Sequence, residues 1–313
     1  MIKKHSYKTA HGTIAVETVD TGIDGKTLFV TAAIHGNEQC GTRALETLTE
    51  KLETGEVKLV SGKLVFVKIC NPLAYQQDRR FSEGGENLNR VFKHHSFPST
   101  PEQIYANTLI EIVNNHIGKA QDRYWLDLHS YYDMDGKPFV IVEYSTDKNL
   151  DFAKCLGVRD IFLGWNELYS ASLDELGNMR EPCTIDYAQS LGISGLTIEC
   201  GGHKDSASID VAYNSIIKAM GHLGLTNSMT SHPLHKSRFI QMEQIIRKPS
   251  DNWTLAQNWR NLDFTPKGTV LAINQTNPDA DRIQAPNDCL ILLPSERAEV
   301  GTEWFYVGKS LDI

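Results

Sequence analysis

A chain of 313 residues, 41% hydrophobic and 22% charged, has enough apolar material for a large buried core, which excludes disorder over any long stretch. Its formal charge of −8 excludes nucleic acid as a partner, because no basic stripe offsets it and the Lys-Lys and Arg-Arg pairs are isolated. Six cysteines (Cys40, Cys70, Cys155, Cys183, Cys200 and Cys289) form no Cys-x-x-Cys, so neither a zinc ribbon nor a thioredoxin-like dithiol is indicated; no run of roughly eighteen apolar residues and no export signal is visible, and a cytoplasmic protein with reduced thiols is expected.

In chain order, Gly12 to Val19 and Lys26 to Ala33 read as strands, joined through Gly22 and Gly25 into a hairpin. The second of them, Leu-Phe-Val-Thr-Ala-Ala over residues 28–33, is apolar enough for a buried parallel strand. It stops at His35; Gly36 allows an unusual backbone at the turn, and Gln39 to Leu52 follows as a helix with Ala44, Leu45, Leu48 and Leu52 on its apolar face. A strand over Lys63 to Cys70 is ended by Asn71-Pro72. The polar stretch Leu73 to Arg90 is too long for a simple connection and is expected to carry function. Pro101 to His116 is helical, with Ile104, Leu109, Ile112 and Val113 as its buried stripe. Strands follow at Tyr124 to Leu128 and Phe139 to Tyr144, a short helix at Asp151 to Leu156, a strand at Ser194 to Ile198 and a helix at Ser208 to Leu223.

Beyond about residue 230 the character changes. From Asp251 to Ile313, short apolar runs are broken by Pro266-Lys267-Gly268, Asn277-Pro278-Asp279, Ala285-Pro286-Asn287-Asp288 and Val300-Gly301, the spacing of a small all-β unit. A boundary near Leu234 divides a hydrolase domain, 1–234, from a β-rich C-terminal domain, 235–313.

Polar groups of complementary chemistry stand at three strand ends, where open α/β sheets build their sites. His35 and Glu38 are suited to bind zinc, His129 is a third ligand from a neighbouring strand, and a fourth position stays open for water. Glu199 ends a further strand and supplies a carboxylate to act as base toward that water; a carboxylate at a buried strand end is costly without a partner or a function. Arg80 and Asn87-Leu88-Asn89-Arg90 offer groups to polarise a carbonyl and hold a carboxylate. Each has a plainer reading: His35 and Glu38 as a turn histidine beside a helix-start glutamate, Arg79 and Arg80 as a solvated pair, Arg90 as a structural ion-pair partner, and His94, His95 and His203 as surface residues.

In order and spacing, His35-Gly36-Asn37-Glu38, Asn71-Pro72 with Arg80 nine residues on, Asn89-Arg90, Asp127-Leu128-His129 and Ile198-Glu199 resemble the succinylglutamate desuccinylase and aspartoacylase family, itself related to the zinc carboxypeptidases. The resemblance spans about residues 25–205, and the C-terminal unit looks like that family's small β domain. It implies a zinc-carboxypeptidase-like mixed sheet flanked by helices. It implies one zinc per chain on His35, Glu38 and His129, Glu199 as general base, Arg80 stabilising the oxyanion, and Asn89 and Arg90 binding the carboxylate of a small-molecule substrate.

Two departures stand out. Asn87 occupies the place of an aspartate that in the wider family partners the first zinc histidine, and Gly84-Gly85 lengthen the loop; Asn87 keeps an acceptor for His35 but brings no negative charge to raise its basicity. Gln189, ten residues before Glu199, stands where the acylaspartate enzymes are expected to carry a substrate-binding arginine. The reading that follows is a zinc deacylase that cleaves the amide of a small N-acyl amino acid or related acylated amine, with neither nucleic acid nor membrane as partner. A zinc carboxypeptidase or peptide amidase and a catalytically silent metal-binding homologue are the alternatives. The small β unit, expected to crowd the cleft, favours a small substrate.

Overall fold

A computed structural model of the chain describes residues 1–117, 122–132, 136–171, 181–227 and 236–311. The chain divides into two compact units, Met1–Arg159 with Arg180–Ser237, and Asp160–Met179 with Arg238–Ile313. The boundary expected near Leu234 lies outside the described residues. The architecture is mixed α/β, a large mixed sheet flanked by helices, with a separate small antiparallel sheet.

The first unit contains β1 (Lys3–Thr9), β2 (Gly12–Asp20), β3 (Thr27–Ala32), β4 (Lys63–Val67), β5 (Arg123–Tyr131) and β6 (Phe139–Val142). After β7 (Asp160–Leu163), which belongs to the second unit, β8 (Ser194–Gly202) returns to the first. Their order is β1-β2-β4-β3-β5-β8-β6. Pairing is parallel through β4, β3, β5 and β8 and antiparallel at β1/β2, β2/β4 and β8/β6.

The expected hairpin between β2 and β3 does not form. β4 lies between them, and β2 takes the exposed, lysine-bearing β1 as its hairpin partner. The physical reason is burial: every residue of β3 is buried, so both edges of that strand must be paired by strands that are themselves covered, and β4 and β5 meet this condition.

The helices are α1 (Cys40–Thr54), α2 (Pro72–Gln76), α3 (Pro101–His116), α4 (Asp147–Cys155), α5 (Trp165–Ala171, in the second unit), α6 (Thr184–Ser190) and α7 (Ala207–His222). α3 starts where its sequence says it should, with Thr100 Oγ1 accepting from Gln103 N and proline in the first turn. α1 and α4 both pack on α7. The other face of the sheet buries Phe29 and Trp125 against Tyr105, Leu109, Ile112 and Ala188 from α3 and α6. Alternation along β5 then fixes the site: Trp125, Asp127 and His129 share one face, while Leu126 and Leu128 point to the other.

In the second unit β7 pairs in parallel with β9 (Arg238–Arg247). β10 (Trp253–Leu255), β11 (Asp263–Thr265), β12 (Val270–Asn274), β13 (Arg282–Gln284), β14 (Cys289–Leu292) and β15 (Glu303–Leu311) follow. β9, β15, β14 and β11 continue antiparallel, and β10, β12 and β13 form the small sheet. Trp259, Leu271, Ile291, Trp304 and Phe305 form a buried cluster in this unit. Among the described residues no helix is long and apolar enough to cross a membrane.

Candidate metal and catalytic site

β3 ends at Ala32 and the chain turns at Ala33, whose φ is 50°. The unusual backbone expected of Gly36 therefore falls on Ala33. Gly36 is needed for a different reason: a Cβ there would lie 2.1 Å from the Ala74 carbonyl carbon and 2.2 Å from Tyr75 N, so the turn packs directly on the backbone of α2. Gly41 does the same for α1, where a Cβ would sit 2.8 Å from both Ala32 Cβ and Leu128 Cβ. This close packing brings the turn to the carboxyl end of β5.

His35, Glu38 and His129 converge there, all buried, with a donor atom from each within 4.8 Å of the others. His35 Nδ1 is 2.8 Å from Glu38 Oε1 and His129 Nδ1 is 2.8 Å from Glu38 Oε2. The far nitrogen of each ring is held from behind: His35 Nε2 donates to Asn87 Oδ1 at 2.9 Å and His129 Nε2 donates to Asp127 Oδ2 at 3.0 Å. With Nε2 protonated in each ring, both Nδ1 atoms face the Glu38 carboxylate. Acceptors this close need a proton or a metal ion to share, so the donor set fits a divalent cation.

The electrostatics agree. Burial, with the Arg80 guanidinium nearby, lowers the His35 imidazole to about 4, which keeps it neutral as a ligand must be. Burial also opposes charge on His129, but the Asp127 and Glu38 carboxylates outweigh it and raise that imidazole well above its ordinary range, marking the place as one that attracts positive charge.

Asp127 stands in the Asp127-Leu128-His129 motif, but the sequence gives it no role of its own. It is fully buried and accepts from Thr31 Oγ1 at 2.7 Å, Thr184 Oγ1 at 2.6 Å and His129 Nε2. The signal was available: a carboxylate inside an apolar strand must be paired or used. Thr184, at the first turn of α6, also donates through its N–H to Asn89 Oδ1 at 3.0 Å, with its hydroxyl 3.2 Å from the same oxygen. Asn89 therefore has its acceptor turned to α6, and only its amide N–H groups remain for a ligand.

Glu199 is in register with His129 across the parallel β5/β8 pair, so both side chains leave the same face. Its Oε2 is shielded and has no hydrogen-bond partner. Desolvation, then the Glu38 charge, pushes its carboxyl up to about 8 against the opposing pull of His129 and Arg80. Arg80 donates to Glu38 Oε1 at 3.2 Å and is about half exposed (48%), whereas Arg79 pairs with Glu83 in solvent.

Arg90 donates to Asn89 O at 2.8 Å and has no carboxylate partner among the described residues. Gln189 is exposed in the last turn of α6; that helix reaches the cluster through Thr184, at its other end. His203, read as a solvated loop residue, is partly buried and bonded through Nδ1 to Ser130 Oγ at 2.8 Å, and the Ser130 N–H donates to Glu38 Oε2.

Comparison with known proteins follows the same lines. The profile of the succinylglutamate desuccinylase/aspartoacylase catalytic domain matches residues 24–217. The succinylglutamate desuccinylase of Shewanella putrefaciens is 26% identical over 283 residues, 82% of this chain and 78% of that protein. The N-alpha-acetyl-L-2,4-diaminobutyric acid deacetylase of Halomonas elongata is 30% identical over 142 residues, 45% of this chain and 37% of that protein. Among solved structures, a succinylglutamate desuccinylase/aspartoacylase from Rhodobacter sphaeroides superposes with a TM-score of 0.75 at 17% identity, over 98% of this chain and 94% of the other. The chain belongs to the succinylglutamate desuccinylase/aspartoacylase family.

Proposed function

We propose that this protein is a zinc-dependent deacylase that hydrolyses the amide of a small N-acyl amino acid or related acylated amine. The observation that carries the reading is the convergence of His35, Glu38 and His129 beside a shielded, partnerless Glu199 oxygen. Relatives named as a desuccinylase and a deacetylase support amide cleavage as the reaction. His35 Nδ1, Glu38 and His129 Nδ1 would hold the zinc, which would supply a Lewis acid able to lower the pKa of water from 15.7 to about 7 and to polarise the acyl carbonyl.

The chain's own residues do the rest. Glu199, raised toward neutrality, takes a proton from the attacking water and gives it to the departing amine, a role that favours a group titrating near the working pH. Arg80, held beside Glu38 and half exposed, donates to the oxyanion that forms as water adds to the carbonyl. Arg90, free of any described carboxylate, and the Asn89 amide N–H groups bind the carboxylate of the amino-acid portion. Asp127 and Asn87 hold the two imidazoles in one tautomer and orientation. The cytoplasm is the setting we assign, on the scattered cysteines of the sequence.

A panel of N-acyl amino acids assayed with and without chelator tests this. Turnover of at least one of them, abolished by chelation and restored by zinc, is the expected result; turnover indifferent to chelation overturns the zinc mechanism.

A further inference from the structure

The lengthened loop from Arg80 to Arg90 folds onto one buried carboxylate that the proposed chemistry does not use. Glu102, in the first turn of α3, is fully buried. Its Oε1 accepts from Ser82 N at 2.9 Å and Asn71 Nδ2 at 3.3 Å, and its Oε2 accepts from Glu86 N at 3.2 Å. Asn71 in turn caps α2 through Oδ1, which accepts from Ala74 N. The added glycines make this possible. Gly84 has φ 71°, and a Cβ on Gly85 would lie 2.4 and 2.8 Å from the two Glu102 carboxylate oxygens and 2.3 Å from Ser82 Oγ. Next to it, Glu86 Oε2 accepts from Thr100 Oγ1 at 2.6 Å and Gln103 Nε2 at 2.7 Å, so the loop is tied to the start of α3 by two carboxylates.

We propose that Glu102 is a positioning residue for substrate binding: by accepting from Ser82 N and Glu86 N it fixes the stretch joining Arg80 to Asn87, Asn89 and Arg90, and so sets how far apart the oxyanion donor and the carboxylate-binding arginine stand. A carboxylate suits this task because both oxygens face backbone or amide N–H donors. A carboxamide would turn its own N–H₂ toward one of those donors, losing an acceptor and adding a repulsion. Removing the acceptor leaves buried backbone N–H groups unsatisfied, which the loop relieves by opening to water. None of the hydrogen bonds described for Glu102 involves His35, Glu38 or His129, and Asn87 keeps its own ties to His35 and Asn89 N, so the first effect falls on substrate geometry.

The kinetic part of the test rests on the deacylase reading; the exchange part does not. In the full-length zinc-loaded protein, Glu102→Gln should raise amide hydrogen exchange at Ser82 and Glu86 by at least about tenfold, while residues 35–54 and zinc content stay as in the parent. KM for the N-acyl amino acid should rise by at least about fivefold with a smaller change in kcat, and in an Arg90→Ala background the same substitution should cost less than about twofold more, because both act on one contact. Gly85→Ala, which presses a methyl onto the same carboxylate, is a second variant and should give the same pattern should Glu102→Gln fold poorly. Unchanged exchange at Ser82 and Glu86, or a loss that adds fully to that of Arg90→Ala, overturns the proposal. If Arg90→Ala alone leaves kcat/KM unaltered, the carboxylate-substrate reading fails, and the exchange result still decides the role of Glu102.

Discussion

His35 Nε2 donates to Asn87 Oδ1 at 2.9 Å, and the same oxygen accepts from Asn89 N at 2.9 Å. An uncharged amide thus fixes the ring of a proposed zinc ligand while also starting the short turn that carries Asn89 and Arg90. An aspartate in its place would add a negative charge behind the imidazole and make Nδ1 more basic. Asn87→Ala should weaken zinc binding by about 10- to 100-fold and Asn87→Asp should strengthen it, both measured by competition with a chelator of known affinity. Equal affinity in all three proteins would show that this contact does not tune the metal.

Glu199→Gln keeps size but replaces a carboxylate oxygen with an amide N–H₂ that cannot accept a proton. The variant should retain fold and zinc and lose kcat by at least about 10²-fold, read from steady-state rates on the best N-acyl substrate together with elemental analysis. Turnover near that of the parent would assign the base to another group.

The same glutamate makes a pH prediction for chelated protein. Its folded pKa, about 8, lies above the ordinary carboxylate value of 4.5, so between those values the folded state binds more protons than the unfolded one, and stability contributed by the protonated carboxyl is lost as pH rises. The melting temperature of the metal-free parent should therefore fall from pH 5 to pH 8 relative to metal-free Glu199→Gln. Parallel curves for the two proteins would show that Glu199 titrates normally.

Arg90 has no carboxylate partner among the described residues, so truncating it strands no described carboxylate inside the protein. Arg90→Ala should lower kcat/KM by at least about tenfold on a substrate with a free carboxylate, from the roughly 1.5 to 3 kcal/mol of a charged hydrogen bond, and by much less on the matching carboxamide. An equal loss on both substrates would mean that Arg90 does not read the carboxylate.

The sequence made the strand ends legible because an apolar run that stops at a histidine or glutamate is a local signal. His35, His129 and Glu199 each end or follow such a run, and parallel register sets His129 beside Glu199. Contacts that depend on distant pairings were not legible. The insertion of β4 between β2 and β3 leaves no local mark, and Gly22 and Gly25 between those strands imitate a hairpin. β7 is only four residues long, too short for a periodic pattern, and is held by pairing with β9 far along the chain. Asp127 takes its meaning from Thr31 and Thr184, which flank it from far away in sequence, and His203 from Ser130. Gln189 is singled out by its spacing from Glu199, but it is exposed in the last turn of α6, and the bond that α6 makes to Asp127 comes from Thr184 at the other end of the helix.

The bare backbone contact at Gly36 has a consequence for anyone who wishes to re-engineer this cleft. Asn37 N donates to Arg79 O, and Cys70 N and Asn71 N donate to Ala32 O and Ala33 O, each at 3.0 Å, so the turn bearing His35 and Glu38 and the segment leading to Arg80 are stitched together along their main chains. No side chain stands between them as an adjustable spacer. The two segments share one set of degrees of freedom: Arg80 cannot be moved to suit a longer acyl group without carrying His35 and Glu38 with it. Variation in acyl preference must then be sought in side chains that line the cleft from elsewhere, since a shift of the Arg80 backbone would be felt first at the metal.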